Sequence, residues 1–519
     1  MKIKSLLLIV FAFSLAISCS LDYDPVSVYS DITQGIENQV KPIFVDKAAV
    51  LSYRNSNDFL RQFRNDQEPW YLDILLLNET HADNAYAGTY GNETTPFANN
   101  SIEGSSINLT RDWTAYMSNI ACFNKMIWGV DDVADLTDAE KRQFKAEGKI
   151  LRAMAYFDMV RIWSRVPLNL TVAADITSEN VEDIYPVWFP DQSEEIDVYK
   201  QIEQDLIEGL ADAIEESPAS RDKNEFVSIP SKNVARALLA KLYAEKPLRD
   251  YDKVIRYADE LAAAGFKLVD DFSDLWEVVL TDPDAPVSNE NRSIGAKERY
   301  TIESIYEAAY FPGATSWVSY MFGRRLDNWN NNFTWAKWIT PSRDIVNEYN
   351  SEGVDKRYEQ AIVWRASGGW TNHYPSNNYA FMFKCRSSHS SIIKIRYADI
   401  LLLKAESLIS KGDFAGAAAI INQTRNRAGL DNLPASATIS KDAILNAYLK
   451  ERRLELAFEG QRWFDLVRLD KVEEVMNTAK QRDPDRLDLV YPFEQYSYIL
   501  PIPANIMDEN PNLTQNPGY

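Results

Sequence analysis

The sequence predicts a mainly α protein, built from tetratricopeptide-like helix pairs that carry a loop-rich ligand-binding part. Three observations lead there. The first is the stretch Lys394–Asp470, where Ala398, Leu401, Leu402, Ala405, Leu408 and Ile409 recur at the three-and-four spacing of one buried helix face. Gly412 follows where a left-handed cap is cheapest, Asp413 can cap the next helix, and Phe414, Ala417, Ala418 and Ile421 give that helix its own apolar face, ended by Gly429. Small residues at the close approaches give this pair the spacing of a tetratricopeptide hairpin. The second is a similar hairpin over Val234–Glu245 and Tyr251–Ala264, closing on Gly265. The third is a change of pattern between about Leu268 and Ile392, where Trp, Asn, Gly and Pro replace helical periodicity.

Along the rest of the chain the elements follow in order. Met1–Ser18 has a basic start at Lys2 and Lys4 and an apolar run, Leu6–Ile17, too short to span a bilayer; it reads as a signal peptide. It ends Ala16-Ile17-Ser18-Cys19, which looks like a bacterial lipobox, so Cys19 is expected to become the lipidated first residue. Residues 19–42 read as a polar tether. Ala48–Leu77 is expected to be helical, and 78–108, crowded with Asn, Gly, Ser and Thr, a binding loop. Arg111–Val130 is an amphipathic helix. Thr137 and Glu140 form a capping box for a helix to Trp163 with two apolar faces, and Asp197–Glu215 is a further helix. Ala443–Asp470 supplies a third helical stretch of the C-terminal part, and Val490–Pro503 reads as a short strand and turn. The expected division is therefore 43–267, a variable ligand-binding region at 268–392, and 393–519.

Composition limits the function. The 519 residues carry a net charge of −21, a surface that repels nucleic acid and anionic lipid headgroups. Thirteen Trp, 27 Tyr and 22 Phe exceed the needs of a core and point to exposed aromatic surface. Cys122 and Cys385 fit no metal motif; Cys122 falls in an apolar helix and reads as an inert buried thiol, while a disulfide between the two is compatible with an oxidising compartment but not indicated by spacing. The sequence has no nucleophile elbow, Walker loop, GxGxxG or HExxH, and its three histidines, His81, His373 and His389, are isolated from one another. His81 and His373 read as solvated loop residues able to reach a ligand. No cofactor is expected; the acidic stretch at 282–291 could take calcium but lacks EF-hand spacing.

Several segments together resemble the SusD/RagB family of outer-membrane nutrient-binding lipoproteins. They are the end of the leader at Cys19; Trp113, Tyr116, Ile120 and Asn124; AEGKILRAMAYFDMVRIWSRVPL at 146–168; KIRYADILLLKAESL with INQTRNRAGL; ERRLELAFEGQRWFDLVR at 451–468; and LPIPANIMDENPNLTQNPGY at 500–519. The likeness runs nearly end to end in one order and is weakest at 78–108 and 268–390. It implies four tetratricopeptide-like pairs with a variable ligand-binding part, a lipid anchor on the outer face of an outer membrane, and a SusC-like TonB-dependent β-barrel as partner. It implies an oligosaccharide or polysaccharide ligand, or peptide in some members, and no catalysis.

Sugar recognition needs flat aromatic faces and planar amides, carboxylates or guanidinium forks for hydroxyls. Residue type and position select Tyr86, Tyr90, Trp317, Trp329, Trp335 and Trp370 as platforms, and Asp83, Asn84, Arg324, Asn330 and Asn378 as polar contacts. Trp338, beside the next helix, reads rather as core. Glu451, Arg452, Arg453, Glu455, Glu459, Arg462 and Asp465 read as structural ion pairs rather than acid–base chemistry. The competing readings are a peptide-binding component on the same scaffold, a surface glycosidase, and a helix-repeat scaffold without a small ligand.

Overall fold

A computed structural model describes residues 42–519, apart from 89–90, 174–179, 222–227, 277, 281–292, 297–298, 311–313, 317, 322–337 and 368. Cys19 and the acidic stretch at 282–291 lie outside the described residues. The frame is a run of helices: α1 (Ile107–Gly129), α2 (Asp138–Trp163), α3 (Glu195–Asp212), α4 (Lys232–Ala244), α5 (Tyr251–Ala263), α6 (Tyr397–Lys411), α7 (Phe414–Arg427), α8 (Lys441–Leu456) and the short α9 (Arg462–Arg468). Each packs on the next from α1 to α7, and α8 closes on α6 and α7. Phe44–Tyr519 is a single compact unit.

Local sequence explains the boundaries. Both halves of the Thr137–Glu140 capping box form, and α2 buries Ile150, Ala153, Met154 and Phe157 together with Leu151, Ala155, Met159 and Ile162. Gly148 lets α2 approach α1, and Gly209 lets α3 approach α2, since a Cβ at either would lie 2.8 or 2.6 Å from an isoleucine carbon. Gly412 caps α6 at φ +84°, and the Asp413 side chain accepts from Gly416 N at 2.8 Å.

Three expectations are corrected. Ala48–Leu77 is helical but not one helix: short α-helices at Lys47–Arg54 and Gln62–Asn65 are followed by π-helical segments at Glu68–Asp73 and Leu76–Thr80. Residues 489–503 contain no strand but a 3₁₀ turn, Gln495–Tyr498. Most important, the described part of 78–98 is not an exposed loop; 99–106 is irregular and partly exposed. Asn78, Glu79, Thr80, His81, Asp83 and Asn84 are all buried, and strand β1 (Ala85–Ala87) and a helix at Gly91–Ala98 follow. Polar residues are buried there because partners are supplied: Asn78 donates to Ile74 O and accepts from Phe464 N, and Asn84 donates to Glu79 at 2.7 Å. His81 bonds Phe97 O at 2.8 Å and packs against Trp463; burial pulls its pKa down to about 4, so it is a neutral core residue, not a solvated loop histidine.

The region between α5 and α6 is built of short antiparallel pairs: β2 (Val278–Leu280) with β3 (Ser293–Ala296), β4 (Ser304–Ala308) with β8 (Ile392–Arg396), β1 with β5 (Ile339–Pro341), and β6 (Ile362–Arg365) with β7 (Tyr379–Met382). Cys385 is buried and Cys122 half-buried.

The charged residues of α8 and α9 are indeed structural, but they pair across the fold more than along the helix. Glu455 accepts from Arg396 at 2.6 Å, Arg357 at 3.2 Å and Arg427. Arg396 also reaches Glu303 and Glu459, and Arg357 reaches Asp355 and Glu451. Arg452 joins Asp399 and Asp465, and Arg468 joins Asp465 and Glu406 at 2.8 and 2.7 Å. All these side chains are buried. The chain turns between α8 and α9 through Phe458 and Gly460, both at positive φ, and a Cβ on Gly460 would lie 2.6 Å from Ile74 Cγ2. Gly460→Ala is expected to cost about 2 kcal/mol in urea unfolding, from backbone strain plus that overlap; a change below about 0.5 kcal/mol would contradict this account.

Candidate ligand platform

Three of the segments singled out in the sequence meet at their bases. Tyr86 of β1 pairs with Thr340 of β5, and just beyond the pair Gly88 N donates to Trp338 O at 2.8 Å. The third segment, 370–379, joins the same place. His373 Nε2 donates to Ala87 O at 2.6 Å, its ring stacks on Tyr86 at 4.5 Å, and Tyr374 OH donates to Pro341 O at 2.9 Å. Arg343 donates to His373 O at 2.7 Å and lies over the Tyr374 ring. Gly88, Trp338 and residues 370–379 therefore meet on one small platform.

The platform is stiff because its polar groups are used internally. Tyr86 OH donates to Asp483 at 2.6 Å and accepts from Arg343 N; Tyr379 OH donates to Asn372 at 2.7 Å and sits 3.1 Å from Thr340 Oγ1. Burial, aided by the Arg343 charge, lowers the His373 pKa, so the ring is neutral at pH 7, with its proton on the nitrogen facing Ala87 O. Beneath the platform Arg111 lies over the buried Trp338 and donates to Asp73 at 2.6 Å. Burial and the neighbouring Asp73 charge push the Asp112 pKa well above its ordinary value. Trp338 is core, as its position beside a helix suggested.

The sequence candidates separate into three groups. Asp83, Asn84 and Tyr86 belong to the frame and not to an open binding loop. Asp83 is gripped by Arg462 at 2.8 Å, Arg453 at 3.3 Å and Arg482 at 3.4 Å, and Asn84 accepts from Arg453 at 2.7 Å. Burial alone would raise Asp83, but the three guanidiniums hold it well below the carboxylate range. Trp370 and Asn378 do lie at the platform surface: Trp370 is half-buried, edge-on to Tyr379 at 5.9 Å, and Asn378 is exposed. Tyr90, Trp317, Arg324, Trp329, Asn330 and Trp335 fall outside the described residues. Exposed Asn372, which was not singled out, stands beside Trp370 in sequence and shares its surface; its place in the run Trp-Thr-Asn-His-Tyr was the available signal. Among the described residues no group of three or more His, Cys, Asp or Glu is arranged to hold a metal ion.

A helical frame thus carries a platform assembled from segments far apart in sequence, the build of a binding scaffold. The chain is similar to the SusD family. Two family models match it, one described as "SusD family" over residues 317–519 and one as "Starch-binding associating with outer membrane" over residues 40–244. SusD-like protein P38 of Formosa agariphila is 28% identical over 459 residues, spanning 82% of this chain and 83% of that protein. SusD-like protein P2 of the same organism is 25% identical over 410 residues, spanning 72% and 74%. Among solved structures, a laminarin-binding SusD-like protein superposes with a TM-score of 0.67 at 22% identity, covering 92% of this chain and 100% of its own. Surface glycan-binding protein A from Bacteroides thetaiotaomicron, in complex with laminarihexaose, gives 0.67 at 17% identity, covering 91% and 100%.

Proposed function

We propose that this chain binds oligosaccharide or polysaccharide at the platform, on the outer face of an outer membrane, and passes it to a SusC-like TonB-dependent barrel. The observation that carries the reading is the meeting of Gly88, Trp338 and the 370–379 segment through the Gly88–Trp338 and Ala87–His373 bonds, with Trp370 and Asn378 at that surface; Tyr90, Trp317, Arg324, Trp329, Asn330 and Trp335, proposed as further contacts on residue type, lie outside the described residues. In the proposed division, 268–392 supplies the variable contacts and 43–267 and 393–519 the frame. The similarity to laminarin- and laminarihexaose-binding proteins of the same fold supports a glycan ligand. Lipid attachment at Cys19 fits a family model described as associating with outer membrane, and among the described residues no helix is long and apolar enough to cross a membrane. The protein acts by binding rather than by catalysis. In support, acids at the platform are already engaged: Asp483 by Tyr86, Asp485 by Arg343 at 2.9 Å, and Asp73 by Arg111.

The test is calorimetric titration of the full chain, in a detergent without a sugar headgroup, against neutral glycan and peptide panels. Saturable glycan binding is expected. Trp370→Ala is expected to weaken it by about 2 kcal/mol, roughly thirty-fold in Kd, while the fold is retained. Saturable peptide binding without any glycan response would replace the reading by peptide uptake, and release of shortened glycan products would replace it by hydrolysis.

A further inference from the structure

A second cleft lies on the helical frame and shares no residue with the platform. It has a volume of 290 Å³ and opens between α1, α2 and α3. Its wall is Trp128, 49% exposed at the last turn of α1. The buried stripe of that helix runs Trp113, Tyr116, Ile120, Phe123 and Ile127 at three-and-four spacing, and Trp128 stands one position off it, so core packing does not account for this indole. Its Nε1 donates to Leu170 O at 2.8 Å. The ring is thereby held in one orientation with its only polar atom used, and what remains for a ligand is apolar face.

The charges around the cleft come in matched pairs. Lys145 meets Asp131 at 2.5 Å, Lys149 meets Glu208, and Arg152 meets Asp205 at 2.8 Å. Two planar amides complete the rim, Gln201 donating to Asp205 at 3.0 Å and Gln204 to Glu208 at 2.9 Å. A rim of balanced donors and acceptors without net charge suits hydroxyl groups and gives no advantage to an anion or a cation. The volume is at the lower end of the roughly 300–1,000 Å³ of small-molecule sites, which suits one ring and not a long oligomer. We infer that this cleft is a second saccharide site, which stacks one ring of a neutral glycan on Trp128 and holds its hydroxyls with Lys149, Glu208 and Gln204. The inference rests on the glycan reading given above.

The test uses the full chain labelled with 5-fluorotryptophan, in the same sugar-free detergent, and follows its tryptophan ¹⁹F resonances. The Trp128 signal is assigned as the one missing from Trp128→Ala. Laminarihexaose and maltohexaose, both neutral, are titrated into wild type, Trp370→Ala and Gln204→Ala. The Trp128 resonance is expected to shift saturably in the low-millimolar range in wild type and equally in Trp370→Ala, and the same shift is expected to weaken about tenfold in Gln204→Ala. A Trp128 resonance that stays still while other tryptophans respond would overturn the second site and leave the platform reading standing. No response at any tryptophan, with no heat in the calorimeter, would overturn both. A charged hexuronate oligosaccharide that shifts Trp128 more strongly than either neutral glycan would overturn the assignment to a neutral ring.

Discussion

Glu455→Ala is expected to destabilise the protein by about 3–5 kcal/mol in urea unfolding at pH 7, more than any single surface change. Glu455 is fully buried among Arg357, Arg396 and Arg427, and burial alone would raise its pKa; instead the three guanidiniums hold it well below the carboxylate range. Removing it leaves a local excess of positive charge in a region without water to screen it. Arg357 keeps Asp355 and Glu451, and Arg396 and Arg427 keep Glu303, so the fold should survive in weakened form. Glu455→Gln preserves volume and separates charge from packing. A loss below about 1 kcal/mol in Glu455→Gln would show that the charge is not what holds these segments. Asp488→Ala is the contrast: Asp488 is almost fully exposed and pairs only with the surface Lys480 among the described residues, so removing it should cost no more than about 1 kcal/mol.

The second large effect is acid lability. Asp83, Asp158, Asp399, Glu406, Glu455 and Asp465 are all buried, and in each the neighbouring cations outweigh burial and hold the pKa below its ordinary value. A depressed folded pKa contributes stability that is present above the unfolded value, about 4, and is lost as pH falls below it. Six such groups acting together predict a urea midpoint that drops steeply between about pH 4 and pH 2.5. Above that range the curve should be shallow, because opposite effects meet. Burial raises Asp66 to about 6 and Glu79 to about 7, so their contribution fades as pH rises. His81, lowered to about 4 by burial, contributes more as pH rises from 4 to 6.5. Equal urea midpoints at pH 5 and pH 3 would refute the ion-pair account of this core.

Helices were the legible part of the sequence because their signals are local. The stripe of α6, the αL glycine after it and the capping box of α2 each lie within a few residues, and all three form. The stretch 78–88 was misread for the opposite reason. Its Asn, Asp and Tyr are as polar as those of a solvated loop; what makes them interior is a set of partners more than 360 residues later, at Arg453, Arg462 and Asp483. Sequence composition records the polarity but not the distant residue that satisfies it. The same limit applied to α8: alternating charges suggested pairs along one helix, while most partners lie on other elements. For the platform, aromatic and amide richness singled out segments that meet at Gly88, Trp338 and His373, yet residue by residue it could not separate Tyr86, which stacks inside, from Asn378, which faces out.

The long-range ties of the 78–88 stretch also set the order in which the molecule can fold. Asp83 and Arg462 are 379 residues apart, and Tyr86 and Asp483 are 397 apart. A chain synthesised from its N-terminus carries this polar, partnerless strut through the making of almost all its helices. Closing so large a loop is entropically slow, and the buried carboxylate and amide of Asp83 and Asn84 cannot meet their guanidinium partners before the last seventh of the chain exists. Helix pairs can form early, but the surface on which the ligand segments are rooted assembles last. A chain stopped before Arg453 would therefore keep its repeats and lack its platform.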